Sequence, residues 1–230
     1  EYDGEKVFDY EEACIKNKDM SFEDYLYIRK FALITESIFN NRIFEVFFHY
    51  ATSEGIKKSE FIFKIVKNIH KAPKKIIKIF NEFVVETENE LWDSEEEMVK
   101  YYKKDENYKK LVKGEAGGNL IYKYKSRNLV EAMPEWTEFL TSLMKELTLD
   151  KNIKLNMSQK EIDLKNMEIG ALGIYQKNIT WKFLENSSDE VLSMKSNYDF
   201  QAWLKNDENI SLSKYKLPHP INYYFSFTKR

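Results

Sequence analysis

Apolar residues recur along most of this chain at three- and four-residue intervals, the spacing that lays one face of an α-helix against a core. "KKIIKIFNEFVVETENELW" carries Ile76, Ile77, Phe80, Phe83 and Val84 in an i, i+1, i+4, i+7, i+8 stripe. "KKSEFIFKIVKNIH" places Phe61, Ile65 and Ile69 four apart. "MPEWTEFLTSLMKEL" is the most regular: Pro134 suits a first helical turn, and Trp136, Phe139, Leu140, Leu143, Met144 and Leu147 share a face. The same spacing predicts helices from about Phe22 to Asn40 and over "RIFEVFFHYATSEG", stopped near Gly55. "DSEEEMVKYYKKDENYKKLVKG" reads as one helix whose acidic start and basic end match the helix dipole. "GEAGGNLIYKYKSRNLVEAM" restarts after a glycine cluster, and "SQKEIDLKNMEIGALGIY" forms another helix that Gly170 and Gly173 weaken toward its end.

Both ends of the chain break this period. "YDGEKVFDYEEACI" predicts two short strands around the turn Asp3-Gly4. "ITWKFLE" and "INYYFSFTKR" are rich in β-branched and aromatic residues and read as strands. Between them "DEVLSMKSNYDFQAWLKN" predicts a turn and a short helix, and Pro218 and Pro220 bracket His219 in an extended linker. The expected fold is mainly α: a multi-helix domain with short β-strands near the N- and C-termini, able to pair together. Residues 1–230 read as a single domain; a sub-boundary, if there is one, falls near 114–118.

Composition narrows the function. Of the 230 residues 43% are hydrophobic, enough for a core and against wholesale disorder. Lys plus Arg is 36 and Asp plus Glu 38, so no global field exists to hold nucleic acid or an acidic membrane. "KYYKKDENYKKLVKG" interleaves tyrosines with lysines, as a base-stacking surface would. The acidic "DSEEE" just before it repels phosphates, which favours a solvated lysine face with tyrosines turned inward. Cys14 is the one cysteine, which excludes an intramolecular disulfide and a cluster ligated by cysteines of this chain alone. The reducing cytoplasm is its simplest location. No run approaches ~18 uninterrupted apolar residues, so no membrane span is expected. His49, His70 and His219 are not spaced as metal ligands, and no HExxH, CxxC or GxSxG occurs. "GEAGGN" lacks the preceding strand and following Lys-Ser/Thr of a phosphate loop, so it reads as a helix break. The chain opens at Glu1 and reads as a piece of a longer protein.

"MSFEDYLYIRKFALITESIF" raises a sharper question. Ser21 and Asp24 form a capping-box pattern, and Met20 and Tyr25 can staple the start. Arg29 then falls in the middle of the apolar face, flanked by Phe22, Tyr25, Leu26 and Leu33, with Glu36 two turns on. Arginine is scarce here, at 29, 42, 127 and 230 only. Arg29 and Glu36 lie about 10 Å apart along an ideal axis and cannot pair directly. Two readings are open. Arg29 binds carbonyls or an acid of another element and fixes helix packing, or Arg29, Tyr25 and Glu36 contact an anionic group of a substrate. In "YDFQAWLKN", Asp199 is placed to cap the helix carrying Trp203.

The order of "YDGEKVFDYEE", "MSFEDYLYIRKFAL", "GEAGGNLIYKYKSRNL" and "NYDFQAWL", followed by a final aromatic strand, resembles the C-terminal helical region of radical SAM enzymes that carry an N-terminal cobalamin-binding domain. The resemblance covers most of the chain. Asp24, Arg29, Asp199 and Trp203 match its recurrent pattern, which assigns them no established role. In that family three cysteines spaced CxxxCxxC hold a [4Fe–4S] cluster that cleaves S-adenosylmethionine; this chain has neither those cysteines nor the cobalamin-binding half. The resemblance therefore implies an accessory domain with no chemistry, cofactor or metal of its own. It would cover the catalytic barrel of its own polypeptide and contribute to recognition of a small-molecule substrate. The competing class is a non-enzymatic helical module that docks a partner protein.

Overall fold

The computed structural model describes residues 6–154, 157–185, 192–206 and 210–225. Ser21 opens the first helix as the sequence predicts. Its hydroxyl accepts from the Asp24 N–H at 3.1 Å, and Asp24 accepts from the Ser21 N–H at 2.9 Å. Helix α1 runs Phe22–Ile34 and continues as a π-helical turn over Thr35–Asn40. Buried polar groups meet at that turn. Trp136 Nε1 donates to Asn128 Oδ1 at 3.1 Å, and Asn128 Nδ2 donates to Ser37 Oγ at 3.2 Å. All three residues are fully buried, so an unpaired member would carry a desolvation cost.

Helices α2 (Glu45–Ser53), α3 (Lys58–Asn68) and α4 (Lys74–Asn89) follow with short connections. The turn after α2 needs Gly55, whose φ is +69°; the Ile56 N–H then reaches back to Ala51 O at 2.8 Å and the Ile56 side chain enters the core. The lysine- and tyrosine-rich stretch is two helices rather than one, α5 (Glu95–Tyr102) and α6 (Asp105–Val112). Asn107 explains the break: its side chain is buried and donates to Tyr101 O at 3.0 Å, satisfying a carbonyl at the end of α5. Gly114, with φ +70°, ends α6, and Asn119 caps α7 (Leu120–Glu131). Helix α8 spans Met133–Lys154 and α9 spans Gln159–Glu185.

Four expectations need correction. Ile179–Glu185, read as a strand, continues α9; its β-branched and aromatic composition is a weak guide where a helix already under way runs on through it. Leu192–Tyr198, read as a turn, is strand β1, in which Met194, Ser196 and Tyr198 turn inward and Lys195 outward. The presumed linker around His219 belongs to strand β2 (Lys216–Phe225), antiparallel to β1. Pro218 and Pro220 fall where the register shifts between Ser196 and Tyr198, a site that tolerates missing N–H donors. Residues 226–230 of the predicted final strand lie outside the described residues. Lastly, among the described residues the sheet holds β1 and β2 alone, without a strand from the N-terminal segment. Asp3-Gly4 lies outside the described residues, and residues 6–20 form no strand. Phe8 packs edge-on against Tyr108 at 5.8 Å, and the Lys6 ammonium donates to Lys103 O at 2.6 Å, so this segment lies on α5 and α6. Between the strands, α10 (Phe200–Leu204) is capped by Asp199, which accepts from the Ala202 N–H at 3.0 Å, and a 3₁₀ turn covers Leu212–Tyr215.

The core is one contiguous cluster, from Leu33 through Phe47, Phe61, Phe83, Trp136 and Leu172 to Trp203 and Tyr223. The two glycines of α9 have opposite roles in it. A Cβ on Gly173 would sit 2.7 Å from Thr141 Oγ1, and Thr141 is held by its own bond to Thr137 O at 2.7 Å. A Cβ on Gly170 would meet nothing within 4 Å. We expect Gly173→Ala to lower stability by about 1–3 kcal/mol through overpacking. Gly170→Ala should raise it by up to about 1 kcal/mol through helix propensity. Urea unfolding of the two variants checks the contrast; equal responses would place the α8–α9 contact elsewhere.

Candidate functional site

Glu82 and Glu86 of α4 and Glu90 at its C-terminal cap stand four apart, so they line one face. Each meets a cation of another helix. Arg127 of α7 bonds Glu82 at 2.6 Å, Lys123 of α7 bonds Glu86 at 2.6 Å, and Arg29 of α1 bonds Glu90 at 3.3 Å. Arg127 also grips Glu131 through Nε and Nη2, at 2.7 and 3.2 Å. This ladder explains the arginine on the apolar face of α1. Its guanidinium lies over the Phe83 ring at 5.7 Å, reaches Glu90 with one amine, and leaves Nε without a hydrogen-bond partner. Burial raises the Glu90 carboxyl, and Arg29 offsets only part of that rise. Glu36 does not join Arg29. It accepts from Asn40 and from Lys125 of α7, the latter at 3.2 Å, and those two bonds hold its pKa down. Tyr25 stacks on Phe22, 5.9 Å between centroids. The three residues named from the sequence are thus separately engaged, each with its own neighbours.

A second polar group lies where α9 meets α2 and the hairpin. Glu168 is fully buried, and neither of its oxygens makes a hydrogen bond. The Lys165 ammonium stands 3.8 Å from it and is bonded to Glu54 at the end of α2. Tyr50 and Tyr198 turn buried hydroxyls toward the same space, where burial first and the nearby Glu168 charge next push both phenols up. Lys216 of β2 adds a more distant positive charge. Ser211 ties the C-terminal segment to the cluster by donating to Glu54 at 3.2 Å. Burial raises the Glu168 carboxyl and, for the same reason, lowers the Lys165 ammonium.

A cleft of about 240 Å³ opens beside this cluster, between α2, α9 and α10. Val46, Ile179 and Leu204 give it apolar walls, and Arg42, His49 and Gln176 bring polar groups. The His49 ring meets Trp203 edge-on at 4.3 Å. Trp203 is fully buried, so it is part of this packing. Arg42 has φ +59°, the one positive value among described non-glycine residues. Its neighbours fix that conformation: Asn41 bonds Ser37 O at 2.7 Å and accepts from the Ile43 N–H at 2.9 Å, while Gln176 donates to Ile43 O at 2.7 Å.

The stretch 100–114 resolves as the sequence reading favoured in part. Tyr102 and Tyr108 are partly buried, whereas Tyr101 stays exposed against Trp92, 5.1 Å between centroids. Among the described residues no group of three or more His, Cys, Asp or Glu is arranged to hold a metal ion, and no helix is long and apolar enough to cross a membrane. Cys14 is exposed and stands by itself, which does not fit an iron–sulfur cluster. No protein-family model, curated protein or solved structure matches this chain.

The buried cluster sets a pH dependence. A raised folded pKa on Glu168 means the folded state favours the protonated acid. Stability is therefore greatest below the unfolded carboxylate value, about 4.3, and falls as pH rises through the folded value. Glu168→Gln removes that term. Thermal unfolding should show the variant gaining about 1 kcal/mol or more over the parent at pH 8, with the gain vanishing near pH 4. Lys165→Met strands two carboxylates and should cost about 3 kcal/mol or more at pH 8. A Glu168→Gln loss at pH 8 that shrinks toward pH 4 would mean instead that its charge is well paired.

Proposed function

We propose that this chain is a helical accessory domain of a radical SAM enzyme of the cobalamin-binding kind. It packs over the catalytic barrel of its own polypeptide and helps to recognise a small-molecule substrate. One observation carries the reading beyond the sequence resemblance. Helix α1 is apolar on two sides. One side enters the core through Leu33, while Tyr27 and Ile28 remain 49% and 53% exposed on the other. Phe63 of α3, 58% exposed, extends that outer surface by packing against Phe31 at 5.7 Å. Large apolar side chains left together on an outer surface mark a contact with a neighbour, and an adjoining domain would bury these rings.

In this reading [4Fe–4S], S-adenosylmethionine and cobalamin belong to the catalytic part. This domain excludes water from the barrel mouth and supplies contacts. Arg29, Tyr25 and Glu36 lie on α1 and its extension, next to the outward apolar face, and are the substrate contacts proposed here. Arg29, half-buried beside this face, is the cation that would meet a substrate anion.

The test uses the full-length enzyme. Ile28→Lys with Phe63→Lys should change the stability of the separate domain by no more than about 0.5 kcal/mol per site, since both side chains are over half exposed. The same pair should depress product formation in the intact enzyme severalfold, and Arg29→Ala should raise its KM. Unchanged turnover in the double variant, or a reading frame with no CxxxCxxC upstream, would reject the proposal. An unchanged KM with intact folding would remove Arg29 from the pocket.

A further inference from the structure

We infer that the cleft between α2, α9 and α10 is a binding site for a small monocarboxylate, with Arg42 as its anion anchor. The inference stands apart from the accessory role proposed above and rests on different residues.

Three arginines lie among the described residues. Arg29 and Arg127 are committed to glutamates of α4 and its C-terminal cap. Arg42 is exposed at the rim of the cleft, where it makes no ion pair and no side-chain hydrogen bond with any described residue. Its backbone is left-handed, a conformation that disfavours any side chain and persists only where the surroundings impose it. Here Asn41, Gln176 and the Glu45 N–H, which bonds Arg42 O at 3.0 Å, impose it together. Glycine would fit this turn without strain. A long cation held there at a structural cost, with no partner inside the fold, is placed for a partner from outside.

The cleft defines that partner. Its volume of about 240 Å³ lies below the roughly 300–1,000 Å³ of sites for drug-sized ligands, so its occupant is a small metabolite. Ile43, Val46, Ile179 and Leu204 require an apolar body. The guanidinium fork suits a carboxylate held by two parallel hydrogen bonds. Glu45 also borders the cleft, and its charge discriminates against a dianion. Together these features select one carboxylate attached to a short aliphatic or aromatic body.

The probes are 3-phenylpropionate, its neutral amide and phenyl phosphate, followed by amide chemical shifts of the full chain. We expect saturable shifts at Arg42, Val46 and Gln176 with the carboxylate at up to about 10 mM, where even millimolar affinity is visible. The amide and the phosphate should bind at least roughly tenfold more weakly, the value of one charge-assisted contact. Arg42→Met should lose the carboxylate to the same extent. Arg42→Gly provides a second reading that does not depend on the strained backbone: it should melt higher than the parent and also fail to bind. No saturation by the carboxylate, equal binding of the amide or the phosphate, or binding retained in either variant would overturn the assignment.

Discussion

The close approach of α9 to α8 at Gly173 organises the C-terminal half of the molecule. With no side chain there, the α9 backbone settles against Thr141, a distance that a Cβ would forbid. From that placement Leu172 enters the core, Gln176 reaches the carbonyl of Ile43, and Lys165 and Glu168 arrive beside α2. The hairpin then packs on α9, with Tyr175 stacked on Phe200 at 4.2 Å. The cleft, the buried acid and the seating of the two strands all follow from how near two helices stand. A close-packed interior transmits such a distance to every neighbour.

The two halves of the molecule use charge in different ways. Along α4 and its C-terminal cap, three partly exposed glutamates meet three cations across helix surfaces. Such pairs contribute little stability and chiefly set how α1, α4 and α7 face one another. Around Glu168 the charges have been taken out of water. The pair with Lys165 is incomplete, because the ammonium is shared with Glu54 and the oxygens of Glu168 accept no hydrogen bond. A buried group in this state holds its neighbours by the penalty of losing them, not by net attraction.

Helices with a clean apolar stripe were legible in the sequence because the stripe and the core are the same residues: Ile76, Phe80 and Phe83 are buried as their spacing requires. Caps at Ser21 and Asp199 were legible for the same local reason. Strand β1 carried a visible alternation in Met194, Ser196 and Tyr198, yet it was obscured by polar residues at the inward positions. The aromatic run at the end of α9 misled, since β-propensity is a weak local signal and the run continues a long helix. The ladder on α4 was present in the spacing of Glu82, Glu86 and Glu90, although nothing local names their partners. The conformation of Arg42 had no sequence signal: Asn41, on one side, is a local turn-former, but the fixing bond from Gln176 comes from 133 residues away.

The hairpin has one further consequence. A two-stranded ribbon has a free margin on each strand, and such margins recruit extended segments from neighbouring molecules. Along β2 the backbone offers no N–H at Pro218 or Pro220, in the irregular stretch of its pairing with β1. An incoming strand finds the row of donors interrupted there. These two imino acids therefore act as a guard against fibre growth, sparing a molecule rich in aromatic residues from adding copies of itself through this small sheet.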